Sequence, residues 1–122
     1  EDLIALLKAR PGLTGLVHAF AGPWELARRY LDLGFKLGIG GIATWPTARK
    51  LQGAVERCPA DGYVLETDAP DLSPEWRRGE RNEPREIGAI AQAVARLRGE
   101  EPEAVLASSD ANGRAVFQLK VK

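Results

Sequence analysis

The stretch "GYVLETDAP", Gly62 to Pro70, is a short apolar run that ends in two carboxylates and a proline. Successive side chains of a β-strand point to opposite faces. Val64, Glu66 and Asp68 would then share one face, and Tyr63, Leu65 and Thr67 the other. Two earlier segments divide in the same way. In "GLVHAF", Gly15 to Phe20, Leu16, His18 and Phe20 oppose Val17 and Ala19. In "FKLGIG", Phe35 to Gly40, Lys36, Gly38 and Gly40 oppose Phe35, Leu37 and Ile39. Each strand thus has one mostly apolar face and one that carries a polar group or glycines.

Helical patterns separate these strands. Glu1 to Arg10 places Leu3, Ile4 and Leu7 at helical spacing before Pro11-Gly12. Trp24 to Leu33 puts Ala27, Tyr30 and Leu31 on one face, with Gly34 as the C-terminal cap. Thr44 is expected to cap a helix opened by Pro46 and running to about Arg57. Pro84 opens an amphipathic helix with Ile87, Ile90, Ala91, Val94 and Leu97 on one stripe, and Pro102 opens a last helix to about Phe117. No repeat or low-complexity segment interrupts the order.

Alternating strands and helices imply parallel strands joined by crossovers, with the helices packed outside. Three parallel strands leave edges and a face to be covered. A closed eight-stranded β/α barrel takes ~250 residues, about twice the 122 of this chain. The alternatives are a smaller open α/β domain or part of a barrel. The faces favour the barrel: outer helices would cover the apolar side, and the polar, glycine-bearing side would line a crowded lumen. The expected fold is therefore α/β, a partial β/α barrel of the TIM type with three parallel strands and outer helices, in one segment over 1–122. The 15-residue connection from Ala69 to Glu83 is long for a strand-to-helix loop, and α/β active sites are built from such loops.

Composition narrows the function. Seventeen basic and seventeen acidic residues give zero formal net charge, which excludes a broad electrostatic grip on nucleic acid or on an anionic membrane. A local, metal-assisted contact with phosphate stays open. No apolar run approaches membrane-spanning length. The single cysteine, Cys58, excludes an internal disulfide framework and fits a reducing, cytoplasmic compartment. It has no basic neighbour in sequence, and we read it as structural.

Few residues can carry chemistry. His18, the only histidine, is either a hydrogen-bonded structural residue or a metal ligand at the carboxyl end of a strand. Glu66 and Asp68 are either exposed strand-end acids or a buried pair that needs a cation or donors to balance it. With a divalent cation, Asp68 could bind the ion or act as general base on its water, and Pro70 would stiffen the exit. Arg77, Arg78, Arg81 and Arg85 alternate with acids along the long loop. They read as a solvated mixed-charge loop, in which one or two could contact phosphate. Trp76 could stack on a base or anchor the loop. Gly38, Gly40 and Gly41 are close-packing positions; no Gly-Lys-Ser/Thr follows them, so they do not form a phosphate loop.

The ordered set of segments "LVHAFAG", "GIGGIATW", "VLETDAPDLSP", "RRGERNEP" and "NGRAVFQL" resembles the TatD family of metal-dependent hydrolases, and covers essentially the whole chain. The resemblance implies a TIM-type barrel and a hydrolase, commonly a DNase that cleaves phosphodiester bonds. It assigns His18 and Asp68 as metal ligands, Asp68 also as the group that activates water. Glu66 becomes a buried supporting acid, and Asn82 the residue that orders the loop. The cofactor implied is a divalent metal, magnesium, manganese or zinc. Ala19 and Ala21 stand where the family usually has Cys and Ser. The family's His-x-His pair, its upstream glutamate and another histidine have no counterpart here. The chain is therefore expected to be the C-terminal half of such a barrel, with an incomplete metal site and little activity alone.

Two other readings remain open. One is a non-catalytic half-barrel that self-associates through two exposed strand edges, forming a homo-oligomer. The other is a related metal-dependent hydrolase acting on an ester or amide, since fold does not separate these chemistries.

Overall fold

Strand β2 (Phe35–Ile39) lies between β1 (Gly15–Val17) and β3 (Tyr63–Leu65) in a sheet of order β1-β2-β3. Both pairings are parallel, with Val17 opposite Leu37, Leu37 opposite Tyr63, and Ile39 opposite Leu65. This is the three-stranded part of a β/α barrel expected from the alternation. The computed structural model describes residues 2–118; Glu1, read above as helical, lies outside them.

The helices are α1 (Asp2–Lys8), α2 (Trp24–Asp32), α3 (Arg49–Arg57), α4 (Ile87–Arg98) and α5 (Pro102–Phe117). Leu37 and Ile39 of β2 and Tyr63 and Leu65 of β3 turn to one side. They are buried in one core with Ala27, Tyr30, Leu51, Ala54 and Ile90. The packing runs in sequence: α2 on β2 and α3, α3 on α4, α4 on α5. The stripe predicted for α4 is the buried one, with Ile90, Ala91 and Val94 fully enclosed. Gly34 and Gly99 follow the ends of α2 and α4 with φ of 90° and 66°, the left-handed turn that lets a helix stop without a Cβ penalty.

Three expectations are corrected. Thr44 caps no helix at Pro46. It ends a 3₁₀ turn over Gly41–Thr44, and α3 begins only at Arg49. The residue before a proline is driven out of the helical region, and Trp45 is extended with ψ 133°. The Thr44 hydroxyl instead donates to Gly41 O and accepts from Glu75 N–H. Strands β1 and β3 are also shorter than predicted. The chain leaves extended geometry at Ala19 and Asp68, both with positive φ, so His18, Glu66 and Asp68 sit on the strand exits.

The third correction concerns the sheet edges. Glu66 N–H and Gly62 C=O bond to β2, so the groups of Tyr63 and Leu65 point away from it. Helix α5 covers them. Leu65 N–H donates to Ser109 Oγ at 2.8 Å, and Asn112 Nδ2 donates to Tyr63 O at 2.7 Å. The β3 edge, expected to be exposed, is thereby capped at Leu65 N–H and Tyr63 C=O by side chains in place of a strand.

Candidate metal centre

The site begins with the glycines of β2. A Cβ on Gly38 would lie 2.6 Å from Glu66 Oε2, and one on Gly40 3.1 Å from Asp68 Oδ2. The missing side chains leave room for two carboxylates against the lumen face of the sheet, which is the close-packing role read from the sequence. Gly41 does the same for backbone, since a Cβ there would meet Leu72 O at 2.6 Å.

The exits of β1 and β3 then converge. His18 Nδ1 lies 3.0 Å from Glu66 Oε2, and His18 Nε2 lies 2.8 Å from Asp68 Oδ1. Glu66 Oε1 accepts from Ala19 N–H at 2.5 Å. The histidine ring is 71% exposed, whereas the side chains of Glu66 and Asp68 are only 14% and 7% exposed. Burial raises the Glu66 carboxyl above the usual range, the Ala19 N–H opposes this, and the Asp68 charge adds to the rise. Asp68 has φ of 59°, a conformation that a non-glycine residue adopts at a cost on the order of 1 kcal/mol. Such strain persists where the surroundings dictate it.

The donor set fits a divalent cation. A neutral imidazole carries one proton, and with that proton on Nδ1 toward Glu66 the Nε2 lone pair faces Asp68. Asp68 Oδ1 is accordingly buried without a hydrogen-bond donor, although Nε2 is near. Two lone-pair donors aimed at each other are unfavourable unless a proton or a cation lies between them. The nearest ligand atoms of His18, Glu66 and Asp68 all lie within 4.8 Å of one another. A carboxylate on the second nitrogen of a ligating histidine is the usual device for fixing tautomer and ring orientation.

The loop beyond Asp68 is built around Asn82, which is 1% exposed. Its Nδ2 donates to Thr67 O and to Asp71 O, and its N–H donates to Pro70 O. A single buried amide thus holds residues 67–71, the segment that carries Asp68. Trp76 is half-exposed and donates its indole N–H to Glu86 Oε2 at 2.8 Å, so it anchors the loop. Arg77 is turned inward toward Glu86 and Glu83. Cys58 is buried, and its thiol is pushed up to about 11 by desolvation, in keeping with a structural role. The sequence did not reveal the Ala19 N–H, because a backbone donor leaves no mark in residue identity.

Residues 1–118 match the family model described as TatD related DNase. The chain is 35% identical over 118 residues to an uncharacterized metal-dependent hydrolase of Haemophilus influenzae, covering 96% of this chain and 45% of that protein. It is 42% identical over 115 residues to a protein of Erwinia billingiae named 3'-5' ssDNA/RNA exonuclease TatD, covering 89% and 44%. The crystal structure of YJJV, a TatD homologue from Escherichia coli K12, superposes with a TM-score of 0.91 at 31% identity, covering 98% of this chain and 46% of that one. The chain spans about half the length of the curated relatives it matches. It belongs to the TatD-related DNase family.

Proposed function

We propose, with that membership as the premise, that residues 1–122 are the C-terminal part of a metal-dependent hydrolase that cleaves phosphodiester bonds of DNA. The observation that carries this reading is the convergence of His18, Glu66 and Asp68 from two strand exits. In a family of metal-dependent hydrolases, that is where a divalent ion would be held.

His18 and Asp68 would hold the ion, through Nε2 and a carboxylate oxygen. When bound, the ion supplies Lewis acidity toward a phosphoryl oxygen and toward the attacking water. Glu66 keeps the Nδ1 proton of His18 in place, so that the ring presents Nε2 unprotonated. Asp68 would take the proton of the water on its free carboxylate oxygen as the new phosphorus–oxygen bond forms and the bond from phosphorus to the leaving sugar oxygen breaks, that oxygen departing as a hydroxyl with a proton from solvent. Asn82 positions Asp68 by fixing the backbone on either side of it. The cytoplasm is the compartment we assign, on the strength of the single unpaired cysteine.

A cation with two protein ligands is weakly held, because catalytic sites commonly use three or more. The segment alone is therefore expected to bind manganese or zinc weakly and to degrade DNA slowly or not at all. The test is metal titration by calorimetry, together with a substrate panel of single-stranded DNA, RNA, a phosphomonoester, a carboxylic ester and an amide. Metal binding that His18→Ala abolishes would support the site. Turnover of ester or amide with no action on any phosphodiester would overturn the substrate assignment. DNA degradation by the segment at the rate of a full-length relative would overturn the claim that it is incomplete.

A further inference from the structure

The loop after Asp68 carries four arginines, Arg77, Arg78, Arg81 and Arg85, and the fold gives them different partners. Arg77 is largely buried, facing Glu86 at 3.5 Å and Glu83 at 3.8 Å. Arg78 pairs with Glu75 at 3.3 Å and stacks over the Trp45 ring, 4.5 Å from its centroid. Arg85 pairs with Glu83. The Arg81 guanidinium has no ion pair, hydrogen bond or ring contact among the described residues.

Its backbone, by contrast, is tied on both sides. The Arg81 carbonyl accepts from Arg77 Nη2 at 3.1 Å. The next residue is the buried Asn82, whose N–H reaches Pro70 O at 3.0 Å. Arg81 and Asn82 line a cavity of about 540 Å³ with Ala69, Pro70, Glu83 and Pro84. That wall begins one residue beyond Asp68. Glu83, the acid in the same cavity, is already engaged by Arg77 and Arg85. Among the described residues, the cavity therefore presents one uncommitted cation on a fixed stretch of backbone, in a wall that starts at the residue after Asp68. A flexible surface arginine would lose side-chain entropy and gain little from a partner, whereas a held backbone reduces what must be ordered on binding.

We propose that Arg81 binds a phosphate of a single-stranded nucleic acid next to the scissile one, and so sets the strand's register on the metal centre. This rests on the phosphodiesterase reading above. A guanidinium suits the role because its planar fork matches two phosphate oxygens and its charge does not titrate. Arg77, Arg78 and Arg85 serve the loop itself.

The experiment is fluorescence anisotropy of a labelled oligothymidylate with the full chain and with Arg81→Ala, Arg81→Lys and Arg85→Ala, over a series of salt concentrations and with manganese present. Arg81 is exposed, so the variants should keep the wild-type far-ultraviolet circular dichroism. For Arg81→Ala the expected result is a loss of affinity of roughly 5–10-fold at low salt. The slope of log affinity against log salt should become shallower by about 0.7, the value for one phosphate contact on a single strand. Arg81→Lys should keep the slope, and Arg85→Ala should match wild type. Equal affinity and slope for wild type and Arg81→Ala, or an equal loss in Arg85→Ala, would overturn the assignment of Arg81 alone. Metal binding by the wild type with no salt-dependent oligonucleotide binding would overturn the nucleic-acid reading and this inference together.

Discussion

Replacing Gly38 by alanine adds one methyl group where the site has no space for it. The new Cβ would lie 2.6 Å from Glu66 Oε2 and 2.7 Å from Oε1 and Cδ, where ordinary contact starts near 3.4 Å, so the carboxylate must retreat by about 0.8 Å. A retreat of that size stretches the 3.0 Å bond to His18 Nδ1 beyond hydrogen-bonding range and also disturbs the bond from Ala19 N–H. The carboxylate ends a side chain that can rotate, so the backbone is spared and the cost is that of modest overpacking, about 1–3 kcal/mol. Two measurements check this. Urea unfolding followed by tryptophan fluorescence should show a loss in that range. Because His18 is the only histidine, the nitrogen chemical shifts of a single imidazole report its tautomer. The neutral ring of the wild type should hold the Nδ1–H form, and Gly38→Ala should lose that preference. Unchanged stability together with an unchanged tautomer would refute the claim that Gly38 makes room for Glu66 and that Glu66 orients the ring.

Other substitutions probe the frame around the site. Arg98 is 6% exposed at its side chain and donates to Val55 O and Cys58 O while pairing with Glu100. Arg98→Ala leaves the end of α3 without donors and should cost about 2–4 kcal/mol in urea unfolding. Gly53 lies inside α3 with nothing within 4 Å of a would-be Cβ. Gly53→Ala should therefore raise stability by roughly 0.5–1 kcal/mol in the same assay. The Cys58 thiol, raised from 9.0 to about 11 by burial, should resist iodoacetamide at pH 8 in the native protein and react once the chain is unfolded in urea. The raised value also sets a sign. The unfolded thiol ionises first, so this contribution to stability is complete below about pH 9 and is lost as pH rises toward 11. The Tyr63 phenol, raised chiefly by burial, acts in the same direction, and urea midpoints at pH 8 and pH 10.5 measure both.

Residue identity alone was enough for much of this molecule. The alternation of apolar and polar positions in three short strands, with helical stripes between them, pointed to a parallel sheet with outer helices and assigned the lumen face of β2 and β3, but it misplaced Phe20, which lies beyond the end of β1 and packs in the core against Tyr30. The sheet and its faces were legible because side-chain period is a local property of the backbone. The same alternation put Glu66 and Asp68 on the glycine-bearing side. Element ends were less legible. The start of α3 depended on Trp45 before Pro46, and the exits at Ala19 and Asp68 depended on positive φ values that neither residue type announces. Contacts far apart in sequence were decided by the tertiary structure alone. No local pattern tells that Ser109 and Asn112 would bond to the β3 edge, or that Arg81, of four similar arginines, would be the one without a partner among the described residues. Those outcomes turn on which groups a distant segment brings within about 3 Å, a distance at which hydrogen bonds form or fail. Only the folded chain fixes that distance.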